Sequence, residues 1–299
     1  MEKLAELNAL IAHHAPADGT RQTALPALSF IRSNAVSEPL HTLYDPSFCL
    51  VAGGRKRARI GEREFVYDAG SSLVVGIDLP VIGVVTEARP DAPYLCLKLS
   101  LDRAALADLL LELDADGHAS PPLPASGSAA GIVKASGALV DACVRLVHLL
   151  DAPHDIAVLA PLIEREILYR LITGSQGAIL RQIANGESRL GRIGRAIDHL
   201  RRNYGEPLPI EALAGIAGMS PSSFHEHFRA ATGMSPLQFR TRIRMHEARR
   251  LMVMEGLTAA EAGFRVGYES PSQFSRDHVR IYSNPPRKDL ARMQAEAAL

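Results

Sequence analysis

A cluster of basic residues between positions 55 and 63 is the first feature that has a chemistry of its own. Five of its nine positions are Lys or Arg, namely Arg55, Lys56, Arg57, Arg59 and Arg63. A guanidinium group presents a planar fork of N–H donors that matches phosphate oxygens. If a strand begins near Arg57, then Arg57 and Arg59 share one of its faces. The cluster therefore predicts either a phosphate-binding site or a solvated strand edge whose charges prevent further pairing.

The same cluster contains an Arg-x-x-x-Arg motif with Arg55 and Arg59 at its ends. This motif is similar to the arginine motif by which PilZ-type β-barrels hold cyclic di-GMP. The second half of that motif is matched loosely by Asp68-Ala69-Gly70-Ser71-Ser72 followed by Gly76. The resemblance implies cyclic di-GMP as an effector. It would be bound by the basic cluster together with Asp68 and Ser72.

Other reactive residues are sparse. Cys49 and Cys96 lie in predicted strands, where a thiol is either an inert small apolar group or a sensor of a reactive aldehyde or oxidant. An apolar metabolite inside a barrel is a further alternative. No cofactor or metal is expected, because His13 and His14 are adjacent on a helix and His41 is isolated. The chain has no nucleophile elbow, phosphate-binding loop or dinucleotide fingerprint, so we expect no enzyme, with a cupin-type enzyme as the remote alternative.

A repeat in the last third of the chain points to a second kind of chemistry. Ser220-Pro221-Ser222-Ser223-Phe224 recurs fifty residues later as Ser270-Pro271-Ser272-Gln273-Phe274. A Ser-Pro pair is a helix-start signal, because the hydroxyl caps free amides and proline has no amide to leave unpaired. A short predicted helix and a glycine turn precede each copy, at residues 210–217 with Gly218 and at 259–266 with Gly267. Two helix-turn-helix units in register predict a protein that binds double-stranded DNA.

The first turns of the second helix in such a unit meet base edges in the major groove. Phe224, Phe228 and Phe274 are expected to face inward, and the polar positions between them outward. Arg276 suits guanine, Gln273 suits adenine and Glu226 could accept from cytosine. The predicted DNA contacts are Ser222, Ser223, His225, Glu226, Arg229, Ser272, Gln273, Ser275, Arg276 and Arg280.

Residues 236–255 read as one helix that joins the two units. At 1.5 Å per residue it would be roughly 30 Å long, close to the length of about 34 Å for one turn of B-DNA. Such a rod can place two reading helices in successive major grooves. Its five arginines, which are expected to contact phosphates or to form a solvated face, are Arg240, Arg242, Arg244, Arg249 and Arg250.

The charge distribution supports this division of the chain. The 299 residues contain 33 basic and 33 acidic side chains, but residues 189–299 carry 17 basic and 11 acidic ones, a net charge of +6. Apolar residues make up 47%, which is typical of a globular protein. No apolar run reaches the roughly 18 residues of a membrane span, and the first residues do not resemble a signal peptide. With only three cysteines, a cytoplasmic location without disulfides is expected.

The elements that must position these residues follow from periodicity. Residues 2–14 read as a short helix, and short apolar runs between 28 and 101 predict an antiparallel sandwich or barrel. Asp102 caps a further helix, and residues 114–131 read as a loop. Helices are expected at 132–150 and 155–172. The second has an apolar stripe that packs within the chain or against a second subunit: Ile156, Leu159, Ile163, Ile167 and Leu171.

The C-terminal third resembles the DNA-binding domain of AraC/XylS-type transcription regulators. The resemblance rests on Gly218-Met219-Ser220-Pro221, Thr232-Gly233-Met234-Ser235-Pro236 and the run from Ala262 to Arg276. The N-terminal part resembles the sensor domain of one branch of this family through Leu43-Tyr44-Asp45-Pro46, Asp78-Leu79-Pro80-Val81 and Pro93-Tyr94-Leu95-Cys96. Where the family has an aromatic-Gly pair, this chain has Tyr282-Ser283-Asn284, and we expect Asn284 to take the left-handed helix-end conformation.

The resemblance implies an α+β protein with a cupin-like β-barrel sensor at 1–131. A helical dimerisation segment follows at 132–188, and a DNA-binding domain with two helix-turn-helix motifs at 189–299. It further implies a homodimeric activator that works with RNA polymerase, binds a small-molecule effector in the barrel and has no membrane partner.

Overall fold

Antiparallel strands form the N-terminal half of the computed structural model, which describes residues 2–115 and 127–297. The strands are β1 Gly19–Gln22, β2 Leu28–Ser33, β3 Leu40–Tyr44, β4 Ser47–Gly53, β5 Arg55–Ile60, β6 Arg63–Asp68, β7 Ser71–Val75, β8 Leu79–Glu87, β9 Tyr94–Ser100 and β10 Ala130–Lys134. They form one sheet in the order β1-β2-β9-β4-β7-β10 and a second in the order β3-β8-β5-β6.

Helices flank the sheets and make up the C-terminal half. They are α1 Glu2–His14, α2 Arg103–Ala115, α3 Gly137–His148, α4 Ile156–Thr173, α5 Gly177–Ala184, α6 Arg189–Arg202, α7 Ile210–Ile216, α8 Pro221–Thr232, α9 Pro236–Met254, α10 Ala259–Arg265, α11 Pro271–Tyr282 and α12 Pro286–Ala297. The predicted α+β class is confirmed. We refer to helices α7–α12 as the helix-turn-helix region.

Strand β5 shows how the sequence builds the sheet core. Its residues alternate between exposed and buried, so that Lys56, Ala58 and Ile60 point into the space between the sheets. Arg55, Arg57 and Arg59 lie on the outer face. This period of two is the signature of a strand with one buried side. Strand β4 of the other sheet is buried along most of its length, because helix α1 covers its second side.

The segment that follows the predicted loop differs from the expectation. The helix predicted from Ile132 begins only at Gly137, because Ala130 to Lys134 pair with β7 as an edge strand. The central part of the predicted loop, residues 116–126, lies outside the described residues. The boundary predicted after residue 131 therefore falls within a strand.

Helix α4 packs mainly through one side. Ile167 and Leu171 of the predicted stripe are buried, whereas Leu159 is 39% exposed. The stripe is thus used for packing within the chain. Among the described helices, none alone is both long and apolar enough to span a membrane. The α3–α4 pair reaches that length and composition only with a bend of 115°.

The second helices of the two units, α8 and α11, differ in how their N-termini are capped. The hydroxyl of Ser220 accepts a hydrogen bond from the amide of Ser223 at 3.3 Å, as the Ser-Pro signal predicts. Ser270, at the equivalent position, makes no side-chain cap. Before each second helix, Gly218 and Gly267 adopt positive φ angles, which explains why glycine stands in both turns.

The end of α11 corrects the prediction for Asn284. Ser283, not Asn284, takes the left-handed conformation, with φ of 60°. Gly233 occupies the equivalent position after α8, with φ of 69°. A serine at this position therefore carries backbone strain that the first unit avoids.

Replacing Ser283 with glycine is expected to stabilise the protein. Relief of the left-handed strain should raise the free energy of unfolding by about 1 kcal/mol. Part of this gain is offset, because glycine has more conformational freedom than serine in the unfolded chain. Thermal unfolding of the full chain measures this as a rise of a few degrees in the midpoint. Asn284→Gly is the matched control and should not raise the midpoint. A lower midpoint for Ser283→Gly would contradict the prediction.

Candidate functional site

The second helices of the two units, α8 and α11, present the polar residues that the repeat singled out. Eight of the ten predicted DNA contacts are exposed, and Ser223 and Ser275 are half-buried. Phe224, Phe228 and Phe274 are fully buried on the opposite side. The helices therefore have one aromatic face that anchors them and one polar face that is open.

The three predicted arginine contacts differ in their partners. Arg229 forms an ion pair with Glu62 in the turn between β5 and β6, at 2.9 Å. Arg280 pairs with Asp277 on its own helix, at 2.8 Å. Arg276 is exposed and makes no ion pair or hydrogen bond with any described residue. Its guanidinium is therefore available for a ligand without first breaking a contact.

Two of the five arginines of α9 hold neighbouring elements together. Arg244 donates hydrogen bonds to the carbonyl oxygens of Tyr204 at 2.6 Å and Gly267 at 3.0 Å, and so joins the loop after α6 to the turn of the second unit. Arg249 pairs with Asp289 at 2.9 Å, whereas Arg250 pairs only with residues on or at the end of α9, such as Glu247. Arg240 and Arg242 form no ion pair with a described residue.

The basic cluster of the sequence is divided by the pleat of β5. Arg55, Arg57 and Arg59 share the outer face, as predicted for the last two. Arg55 lies 3.9 Å from Asp68 and 3.7 Å from Glu87. Asp68 also accepts a hydrogen bond from Lys134 at 2.6 Å. Arg63 begins the neighbouring strand β6.

Two members of the predicted effector set lie elsewhere. Lys56 points between the sheets, because it alternates with Arg55 and Arg57 along the strand. Ser72 is fully buried and donates to the carbonyl oxygen of Val133 at 3.2 Å. The predicted residues therefore do not converge on one pocket. The alternation of basic and apolar residues in β5 was the signal that could have placed Lys56 inside.

The space between the sheets holds a polar cluster that the sequence did not predict. The Lys56 ammonium donates to the Tyr44 hydroxyl at 3.0 Å and lies 5.8 Å from the centre of the Tyr94 ring. Among the described residues no carboxylate pairs with it. A buried ammonium without an anionic partner is costly, so this cluster favours a polar occupant or a thiolate over an apolar one.

Cys49 and Cys96 belong to this cluster. The β4–β9 register places them on one face of neighbouring strands. Interaction with Cys49, Tyr94 and the Lys56 ammonium lowers the pKa of Cys96 despite its burial. Interaction with Cys96, together with burial, raises the pKa of Cys49 well above its usual value. Cys96 is therefore the more acidic thiol of the two.

Contacts join the sheets to the helix-turn-helix region at the β5–β6 turn. The β5–β6 turn touches the end of α8 so closely that a Cβ atom on Gly61 would overlap the carbonyl group of Gly233. Beside it, Glu62 holds Arg229. Sequence reasoning missed Gly61 and Glu62, since nothing local marks residues that pair across more than 160 positions.

His41 lies at the same junction rather than in isolation. Its ring packs edge-on against Tyr282 of α11, with 4.8 Å between ring centres. Burial and the charges of Arg249, Arg242 and Arg59 lower the pKa of His41 to about 4. The imidazole is therefore neutral at pH 7. Its low pKa reflects burial first and the neighbouring arginines second.

One group of side chains has metal-ligand types at short range. The ligand atoms of His13, His14 and Asp151 lie within 4.8 Å of one another near the end of α1. His14 faces Asp151 with 3.4 Å between Nε2 and Oδ1. This ion-pair geometry accounts for the approach of the two side chains.

Comparison with known proteins matches both halves. A family model described as the AraC-type transcriptional regulator N-terminus matches residues 24–179, and a helix-turn-helix domain model matches residues 213–292. A solved structure of an apo ToxT variant from Vibrio cholerae strain SCE256 has a TM-score of 0.59 over 90% of this chain and 98% of that one, at 9% identity. This likeness concerns the fold.

Curated relatives are similar over part of their length. The HTH-type transcriptional activator RhaS of Yersinia pestis bv. Antiqua (strain Angola) is 26% identical over 146 residues, which are 49% of this chain and 51% of RhaS. The RCS-specific HTH-type transcriptional activator RclR of Escherichia coli (strain K12) is 34% identical over 95 residues, covering 32% of this chain and 34% of RclR. The chain thus spans about half the length, or less, of these relatives.

Proposed function

Because the chain belongs to the AraC-type transcriptional regulators, we propose that it binds double-stranded DNA sequence-specifically and regulates transcription in response to a small molecule. The observation that carries this proposal is the pair of helices α8 and α11. Each has a buried aromatic face and an open polar face, and the two are joined by the 19-residue helix α9. That spacing suits reading in successive major grooves. We expect activation, through RNA polymerase at an adjacent promoter.

Selection from a pool of random-sequence duplexes tests this function. The full chain should enrich a motif with two parts about one helical turn apart and bind it at least ~1000-fold more tightly than unrelated DNA. Retardation of the selected duplex should weaken steeply as salt rises. If no sequence is enriched, with or without cell metabolites, the proposed function is wrong.

The effector is proposed to act on the sheets. The polar cluster around Lys56 supports a reactive small molecule over an apolar metabolite, because Cys96 is an acidified thiol beside an ammonium group. Mass spectrometry after treatment with hydrogen peroxide tests this alternative in a Cys49→Ser variant. One oxygen atom should be added at Cys96, while Cys143, whose pKa burial raises to about 12, should stay unmodified.

Cyclic di-GMP stays a separate prediction. Arg55 and Arg59 share the outer face of β5, which is the part of the motif that supports it. Calorimetry with the nucleotide on the wild type and on an Arg55→Ala/Arg59→Ala variant tests it. Equal heats for the two proteins would remove cyclic di-GMP as the effector.

We propose that the protein is a homodimer, in keeping with the predicted role of the segment 132–188. The support is a second face of α4, outside its apolar stripe, that carries exposed apolar side chains. Val158 and Leu162 are 68% and 61% exposed, and Leu111 on the adjoining helix α2 is 71% exposed. Exposed apolar side chains at positions i and i+4 form a continuous patch of the kind that a second subunit covers.

Leu162→Asp is expected to weaken this dimer at least ~10-fold, since burying a leucine contributes about 1.5–3 kcal/mol and the charge must be desolvated. Sedimentation of the full chain over a concentration series gives the dissociation constant. Leu237→Asp is the matched control, because Leu237 is 60% exposed but lies on α9. Equal dissociation constants for the two variants would contradict an interface on α4.

A further inference from the structure

A cleft of about 330 Å³ separates the β5–β6 turn from helices α9 and α11. Its walls are formed by the turn on one side and by the ends of α8 and α11 and the first half of α9 on the other. The residues that line it include Gly61, Glu62, Gly233, Gln238, Arg242 and Arg280. The cleft is roughly twice the size of a cavity that holds benzene, so a small molecule fits it.

Two guanidinium groups line this cleft from two different elements, Arg242 on α9 and Arg280 on α11. Burial, with Arg59 on β5 and Arg280, lowers the pKa of Arg242 from its ordinary value. Burial, with the charges of Arg249, Arg242 and Arg59, also lowers the pKa of His41.

One acidic group lines the cleft, and a second pairs with one of its arginines. Glu62 lines the cleft but pairs with Arg229 at 2.9 Å, and Asp277 pairs with Arg280 at 2.8 Å. Asp289 lies behind α9 with Arg249. Among the described residues, Arg242 forms no ion pair. A half-buried guanidinium with like charges beside it is unfavourable until an anion enters.

We propose that the cleft binds a small polyanion of the phosphate-ester or pyrophosphate class through Arg242 and Arg280. Guanidinium forks bind phosphate oxygens in pairs, and two forks that face one cavity match an ion with more than one negative charge. The site differs from the predicted effector set, because its arginines lie in the helix-turn-helix region rather than on β5.

A small anion fits this cleft better than the backbone of a duplex. The turn covers one side of the cleft, and its contact with the end of α8 leaves no room for a Cβ atom at Gly61. A bound anion would occupy Arg280, which is one of the predicted DNA contacts. We therefore expect the anion to compete with DNA. This coupling rests on the proposed function, whereas binding of the anion does not.

Calorimetry of the full chain with sodium pyrophosphate, at constant ionic strength, tests the site. The wild type should give a saturable heat for one ion per chain, and Arg242→Gln and Arg280→Gln should each weaken binding at least tenfold. Arg89→Gln is the matched control, since Arg89 is exposed and pairs with Asp91 far from the cleft. Circular dichroism checks that each variant is folded, and Arg242→Lys should retain part of the affinity.

Two results would overturn the proposal. One is the absence of a saturable heat with the wild type, and the other is unchanged affinity in a folded Arg242→Gln variant. If Arg242 instead contacts DNA phosphate, Arg242→Gln weakens binding to all duplexes and lowers the salt dependence by about one ion, with no pyrophosphate binding in the wild type. A chain that binds pyrophosphate but no DNA would leave the anion site standing and refute the proposed function alone.

Discussion

Arg276→Ala should lower the affinity for the selected duplex by about 10- to 100-fold, because a bidentate contact to guanine contributes about 1–3 kcal/mol of discrimination. Of the three arginines predicted to contact DNA, Arg276 alone forms no ion pair with a described residue, whereas Arg229 and Arg280 have acidic partners. The side chain is exposed on the polar face of α11. Its loss therefore removes a contact to DNA without disturbing the fold.

The measurement is a fluorescence titration of the selected duplex and of the same duplex with the proposed guanine replaced. The wild type should discriminate between the two, and Arg276→Ala should bind both equally. Arg265→Ala is the matched control, because Arg265 is exposed in the same unit but lies on α10. If Arg276→Ala weakens both duplexes by the same factor, Arg276 is a phosphate contact rather than a base contact.

The helix-turn-helix units could be predicted because their signals are local. A capping residue, a glycine in the turn and an apolar spacing each act within one or two helical turns, so they can be read from neighbouring residues. Thr258 and Glu261 form the predicted capping box of α10. The open face of α8 follows from the burial of Phe224 and Phe228 four residues apart.

Contacts between the two halves could not be predicted in the same way. Glu62 meets Arg229 only because the β5–β6 hairpin and the end of α8 are brought together by the packing of whole elements. The direction of Arg244 depends likewise on the carbonyl oxygens of a distant loop. Charge patterns indicate which residues are able to bind an anion, but long-range packing decides which of them share a cleft.

Strand β10 shows a further limit. Ala130 to Lys134 contain no alternation of polar and apolar residues and precede a strongly amphipathic helix, so the local pattern favours helix. The exposed edge of β7 supplies hydrogen-bond partners that override this preference. The polar cluster around Lys56 was missed for a related reason, since a lysine in a basic run is more often exposed than buried.

Asp289→Ala is expected to reduce the free energy of unfolding of the second unit by about 3–5 kcal/mol, the usual cost of removing one partner from a buried ion pair. Asp289 is fully buried, 2.9 Å from Arg249, 3.4 Å from the His278 ring and 3.2 Å from Arg292. Its loss leaves the Arg249 guanidinium without its counter-charge and removes the carboxylate beside His278 Nε2. Urea unfolding of the full chain, with hydrogen exchange of α11 amides, measures the effect.

Asp45→Ala is the control for this variant. Asp45 pairs with Lys98 at 2.6 Å but is 45% exposed, so its removal should cost less than about 1 kcal/mol. Loss of stability of the same size in both variants would show that the burial of Asp289 is unimportant. A pronounced loss confined to Asp289→Ala would identify this network as the anchor of α12 on α9 and α11.

The pH dependence of stability follows from the same network. Burial opposes ionisation, but His278, Arg249 and Arg292 together lower the pKa of Asp289 below its ordinary value. As pH falls, the unfolded chain therefore takes up this proton before the folded chain does. The contribution of Asp289 to the free energy of unfolding is complete above the usual aspartate pKa of about 4. It is lost as pH falls through the lower pKa of the folded state. Asp289→Asn should make the free energy of unfolding depend less on pH in this acidic range.

The first unit has no counterpart to this network, because Phe228 stands where the second unit has His278. Phe228 packs against Phe224 and Phe239 with ring centres 5.4 Å and 5.3 Å apart, so the packing there carries no titrating group. Acid should therefore unfold α11 before α8. If hydrogen exchange shows both helices losing protection together as pH falls, the network around Asp289 does not control the second unit.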